Sequence, residues 1–141
     1  MKLTLSPEEL RGLLREARTI AVVGLSPKRE RPSHGVARYL QGVGYRIIPV
    51  NPGQSEILGE RAYPTLAAAA AEHGIDVVDV FRRSELAGAV VDEALAIGSP
   101  PRLIWLQQGV VDQAAAARAR AVGIPIVMDR CLAVDHQLLE V

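Results

Sequence analysis

Residues 19–24 read Thr-Ile-Ala-Val-Val-Gly, an apolar, mostly β-branched run closed by glycine. With no polar alternation, such a run reads as a parallel strand buried on both faces. Just upstream, Ser6-Pro7-Glu8-Glu9 signals a helix start. Ser6 suits the N-cap, Pro7 the first helical position, and Glu9 closes a capping box. Leu10, Leu13, Leu14 and Ala17 then share one helical face, which predicts a short helix over 6–17.

The same alternation continues downstream. A helix is expected over 35–41, then a second strand over 46–50 (RIIPV) with Pro49 marking its end. A loop with a short polar excursion leads to an Ala-rich helix over 66–72, stopped by Gly74. The third strand is read over 76–81 (DVVDVF). Ser84 or a neighbour caps the next helix, which runs to about Ile97 and ends in Gly98-Ser99-Pro100-Pro101. The fourth strand is 103–106 (LIWL), and Val111-Asp112 introduces a helix to about Val122. A fifth strand over 124–128 precedes a last helix over 131–139. Strands separated by helical patterns mean right-handed βαβ units. The expected fold class is α/β: a single Rossmann-like domain over 1–141, with a doubly wound, five-stranded parallel sheet in a three-layer αβα arrangement. The expected strand order is 3-2-1-4-5.

Composition narrows the function classes. The chain has 141 residues with 16 basic and 16 acidic side chains, so one domain is expected and no general attraction to nucleic acid or membrane surfaces. No apolar run reaches the roughly 18 residues of a membrane span, and MKLTLSPEEL carries no secretory apolar region. The lone Cys131 excludes an internal disulfide framework and a multi-cysteine zinc site. A soluble, cytoplasmic protein is expected. Arg outnumbers Lys by 14 to 2 and Asn51 is the single asparagine, a bias that suits work at high temperature and also follows from a GC-rich genome.

In an open parallel sheet, ligands bind beyond the carboxyl ends of the strands, at the point where the order reverses. For the expected order that crevice lies above the first strand, flanked by the second and fourth. The rim then comprises Gly24-Leu25-Ser26-Pro27-Lys28-Arg29, Val50-Asn51-Pro52-Gly53, Phe81-Arg82-Arg83, Leu106-Gln107-Gln108-Gly109 and Met128-Asp129-Arg130-Cys131. The first loop is the most informative. Gly24 permits a tight turn, Ser26 offers a hydroxyl, and Lys28, Arg29 and Arg31 bring positive charge to a helix start, a setting for phosphate. A solvated charge cluster, partly neutralised by Glu30, is the plainer alternative. Of Arg82 and Arg83, strand alternation lets at most one face a ligand, the other pairing with Glu85. A dinucleotide fingerprint needs a second glycine after Gly24 and an acid at the end of the second strand; Ser26 and Asn51 stand there instead, which weakens NAD and leaves NADP open. The phosphate-binding Walker A pattern is absent.

Gly24-Leu25-Ser26, Pro49-Val50-Asn51-Pro52, Gln108-Gly109-Val110 and Met128-Asp129-Arg130-Cys131 together resemble the small stand-alone CoA-binding proteins. These are similar to the CoA-binding N-terminal domain of the succinyl-CoA synthetase α subunit. The resemblance spans about Thr19 to His136, with its motifs in order after successive strand ends. It implies coenzyme A as the bound ligand. Gly24, Leu25, Ser26, Pro27, Lys28 and Arg29 would wrap the phosphates, and Val50, Asn51 and Pro52 would lie along the adenosine. Leu106, Gln107 and Gln108 would follow the pantetheine, with Phe81 and Arg82 lining the crevice between. The chain departs from the synthetase pattern at Gln54, where that pattern has Lys, and at Gln108, where it has an acid. The synthetase phosphohistidine lies in a second domain that has no counterpart before Val141. The resemblance therefore implies CoA or acyl-CoA binding without ligase activity, no catalytic residue and no metal, with a protein partner unidentified. The alternatives are an NADP-dependent small oxidoreductase, disfavoured by the lack of a Tyr/Lys or His pair at the rim, and a regulatory partner of a larger enzyme.

Three further residue types stand out. Cys131 is expected in the first turn of the last helix, either as a small buried apolar group or as a thiol able to form a mixed disulfide with CoA. His34, His73 and His136 lie on separate segments without metal-ligand spacing, and Asp135 and His136 point apart on their helix. His34 is expected at the surface, with a place at the helix start facing the phosphates as the alternative, and Trp105 in the core of the fourth strand.

Overall fold

A computed structural model describes residues 5–141. The first helix, α1 (Pro7–Glu16), opens as its sequence requires: the Ser6 hydroxyl accepts from the Glu9 amide and the Glu9 carboxylate accepts from the Ser6 amide. Ala17 ends it. The chain then runs through β1 (Thr19–Val23), α2 (Pro32–Gly42) and β2 (Arg46–Val50). The polar excursion is a small antiparallel hairpin of β3 (Glu56–Ile57) and β4 (Glu60–Arg61), followed by α3 (Leu66–Glu72). Next come β5 (Val77–Val80), α4 (Ser84–Leu95), β6 (Leu103–Leu106), α5 (Gln113–Ala121), β7 (Ile126–Val127) and α6 (Leu132–Leu138).

The large sheet is parallel and five-stranded, ordered β2-β1-β5-β6-β7. Counting its own strands alone, the order is 2-1-3-4-5, which corrects the expected 3-2-1-4-5. The third strand pairs with β1 on the side away from β2, so the chain reverses direction after β2. Right-handed crossovers then force the helices onto opposite faces. One face carries α1, α2 and α6, represented by Leu14, Leu40 and Leu132; the other carries α3, α4 and α5, represented by Leu66, Val91 and Ala116. Strand alternation feeds both layers. Ile20, Val22 and Trp105 belong to the first, Ala21, Val23 and Leu106 to the second.

Pro49 explains why β2 is an edge. Its carbonyl accepts from the Tyr63 amide on the outer side, where a strand residue's own N–H would also point. Proline has no N–H to offer there, which an interior strand would need. Tyr63 forms a parallel bridge with Val50 and covers the last part of that edge.

Candidate functional site

The order reversal puts the switch point between β1 and β5, and the crevice there is lined from the exits of β1, β5 and β6; the expected flank on the fourth sheet strand is present, while the second, β2, contributes no lining residue among those described. Here the backbones approach very closely. Gly24 has φ +87°, and a Cβ at this position would lie 2.5 Å from the Phe81 carbonyl oxygen. Only glycine meets both conditions.

Beyond Gly24 the loop is organised by its serines. The Ser33 hydroxyl accepts from the Ser26 amide at 3.0 Å, and the Ser26 hydroxyl accepts from the Lys28 amide at 3.1 Å. These bonds turn the loop back over the start of α2. Its N-cap, Arg31, makes no capping side-chain bond, and Pro32 occupies the first turn. Helix α2 thus begins three residues before the expected Gly35; Pro32 was the signal for it.

A cavity of about 620 Å³ opens above this junction, a size suited to a small-molecule ligand. The β1–α2 loop contributes Gly24, Ser26, Lys28 and Arg31, and α2 contributes Pro32, Ser33 and Val36. Phe81, Arg82 and Arg83 enter from β5, Gln107 to Val110 from β6, and Cys131 from the start of α6. Four of these residues are cationic and none is acidic. Arg83 has one distant partner, Glu85, at 4.0 Å with both side chains largely exposed. Both Arg82 and Arg83 line the cavity, which corrects the expectation that at most one would: β5 ends at Val80, so strand alternation no longer governs them.

The residues implied by the resemblance divide into three groups. Gly24, Ser26, Lys28, Phe81, Arg82, Gln107 and Gln108 line the cavity. Leu25, Val50 and Leu106 are buried in the core, where Val50 accepts from the Gly24 amide through its carbonyl. Pro27, Arg29 and Pro52 are exposed outside the lining, with Asn51 half-buried beside them. Asn51 works as a strut. Its Nδ2 donates to the Leu25 carbonyl at 2.9 Å and its Oδ1 accepts from the Gly53 amide at 2.8 Å, joining the β2 exit to the β1 loop. Residues missed at the sequence level include Pro32 and Val36, which the early start of α2 brings in, whereas Arg83, Gly109 and Val110 already stood on the expected rim or in its motifs.

The far wall is held by polar ties. Buried Gln107 accepts from the Leu132 amide at 3.2 Å, and the Trp105 indole donates to the Arg130 carbonyl at 2.7 Å. Gly109 donates to Asp129 at 2.7 Å. Ser84 is the first residue of α4 and not its cap; its hydroxyl accepts from the Val111 amide at 3.0 Å and so links two rim loops. Cys131 is the N-cap of α6, half-buried on the cavity wall.

The histidines lie elsewhere. His34 is buried, against the expected surface position, because α2 starts early and turns this residue inward. His73 meets the Tyr63 hydroxyl at 2.9 Å and His136 the Tyr39 hydroxyl at 2.8 Å. Burial lowers the His136 pKa below its ordinary value. Asp135 instead holds Arg130 through two bonds of 2.6 and 3.1 Å. Among the described residues, no three His, Cys, Asp or Glu side chains gather as a metal site, and no helix is long and apolar enough to cross a membrane.

Comparison with known proteins gives consistent results. Residues 18–137 match the family model of the CoA binding domain. A Bacillus subtilis (strain 168) protein described as uncharacterized protein YneT is 40% identical over 131 residues, covering 93% of this chain and 94% of its own. A solved hypothetical protein from Pyrococcus horikoshii OT3 superposes with a TM-score of 0.90 at 34% identity, covering 99% of this chain and 95% of that one. The Thermus thermophilus protein cell-free ID.343 does so with 0.85 at 39% identity, covering 96% and 99%. With the matched segment spanning nearly the whole Rossmann-like sheet and the cationic cavity at its switch point, the chain belongs to the CoA binding domain family.

Proposed function

We propose that this chain binds coenzyme A, free or acylated, in the cavity at the carboxyl ends of the strands, and performs no bond-making chemistry of its own. One observation carries the reading: a protein with equal numbers of acidic and basic residues lines its switch-point cavity with four cations and no acid. Coenzyme A brings a diphosphate and a 3′-phosphate, which such a field attracts. The Ser26–Arg31 segment and the uncapped start of α2 suit the diphosphate. Gln107, Gln108 and Cys131 offer a wall without formal cations for the pantetheine arm. Val50, Asn51 and Pro52 stand on the side where the adenosine would rest.

The same lining argues for binding over catalysis. Among the described residues no His, Asp, Glu or Tyr lines the cavity, so the carboxylates and imidazoles that most often serve as general acid and base do not face a bound ligand. The direct test is calorimetric titration with coenzyme A, its 3′-dephospho form and NADP. The reading expects saturable binding of coenzyme A, at least about tenfold weaker binding without the 3′-phosphate, and no heat from NADP. Saturable NADP binding with coenzyme A inert would overturn it and favour a small oxidoreductase. Silence from all three would also overturn it.

A further inference from the structure

Asp79 is fully buried, and neither of its carboxyl oxygens has a hydrogen-bond partner. It stands in the middle of the sheet, in register with Val22 of β1 and Trp105 of β6. Val77 and Phe81, two residues to either side, both pack in the layer beneath α1, α2 and α6, so alternation turns Asp79 into that layer. Phe81 lines the cavity. Asp79 therefore lies one pleat below the cavity floor, under the two helices whose first residues build the cavity wall.

The titratable groups facing this layer do not solvate it. Tyr39 and His136 bond each other, Tyr45 donates to the Leu14 carbonyl, and Asp135 holds Arg130. His34 of α2 and Cys131 at the head of α6 make no side-chain bond to Asp79. The Trp105 indole, its neighbour in register, is committed to Arg130. With nothing to stabilise the anion, burial pushes the Asp79 carboxyl well above the ordinary carboxylate range.

We propose that Asp79 makes ligand binding in the cavity proton-linked. As the neutral acid it lets α2 and α6 close on the sheet; once ionised, it draws water into the layer and loosens the wall formed by Pro32, Ser33, Val36 and Cys131. Affinity then falls as pH rises. The inference rests on the reading of the cavity as a coenzyme A site and adds a control to it.

The experiment is calorimetric titration with coenzyme A from pH 6 to 10 on the wild type, Asp79→Asn and Asp79→Val, with ligand-free thermal unfolding in the same buffers. The two variants serve each other: either one that folds is a sufficient reference. Titration of the ligand itself is common to all three proteins. The wild-type Kd is expected to rise more steeply than the variants', by up to about tenfold per pH unit once the carboxyl ionises. Parallel Kd profiles in proteins that bind would overturn the proton link and leave the coenzyme A reading intact. If none binds coenzyme A, that reading fails, and the ligand-free melts decide the loosening by themselves. A wild-type melting temperature that falls with pH relative to Asp79→Val supports it, and parallel melting profiles sink it.

Discussion

Gly24→Ala tests the geometry on which the cavity depends. At φ +87° an alanine sits in the left-handed region, which costs about 1–2 kcal/mol. Its Cβ would also stand 2.5 Å from the Phe81 carbonyl oxygen, a backbone atom that cannot swing aside. Separating β1 from β5 enough to admit it adds about 1–3 kcal/mol, as for other overpacked sites. The sum, about 2–5 kcal/mol, is a large share of a typical domain's stability. For a chain of this length it corresponds to a fall of roughly 7–17 °C in melting temperature. Urea unfolding followed by Trp105 fluorescence is a suitable assay, with an unchanged slope showing that the same surface is exposed. Gly35→Ala is the internal control: Gly35 lies within α2 with nothing within 4 Å of the added methyl, so it should stabilise by about 0.5–1 kcal/mol. A loss below about 1 kcal/mol for Gly24→Ala would refute the argument that this close approach demands glycine.

Four further outcomes follow. Lys28→Ala and Arg31→Ala should each weaken coenzyme A binding by about 1–2 kcal/mol at low salt, while Arg29→Ala, outside the cavity lining, changes it by less than half as much; equal effects would mean that the loop acts through general charge. Asp79→Val should raise stability at neutral pH by about 1–3 kcal/mol, because it removes an unpartnered polar group from the core. The sign of its pH dependence follows from a raised pKa: below the ordinary carboxylate value the wild type carries only the cost of the neutral unpartnered group, and it loses further stability as pH rises toward the folded value, so the gap to Asp79→Val should widen with pH. His136 has the opposite sign, since its lowered pKa makes its contribution complete above about 6.5 and lost as pH falls, and the advantage of the wild type over His136→Gln in thermal unfolding should shrink between pH 8 and 5. Treatment with CoA disulfide should add one CoA to Cys131 by thiol–disulfide exchange, releasing one free CoA thiol; an unmodified mass would place the pantetheine end elsewhere in the cavity.

The sequence made the elements legible and the pairing order much less so. Capping by Ser6 and Asp112, the apolar runs at 19–23 and 103–106, and the stop at Gly74 are local chemistry and appear where expected. Which strand lies beside which is a long-range choice, and apolar runs of similar composition do not encode it. Pro49 did carry a clue. A missing N–H is tolerated at a sheet edge, and the expected order would have placed this strand inside. At the site, the loop after β1 was readable because glycine, serine and clustered cations have specific uses. Val36 was not, since its position depends on where α2 begins, and neither was the entry of both Arg82 and Arg83, which depends on where β5 ends. Asp79 looked like an ordinary member of the DVVDVF strand; only the assembled layers reveal that its carboxyl meets no partner.

The edge at Pro49 also bears on how this molecule can meet others. A sheet border with free amides and carbonyls is a template on which another chain can add a strand. Here one border lacks an amide at Pro49 and has Tyr63 laid over its end, and the opposite border, β7, is only two residues long. Neither offers enough consecutive ladder to recruit a foreign strand. Growth by cross-β stacking is therefore disfavoured at both sides of the large sheet.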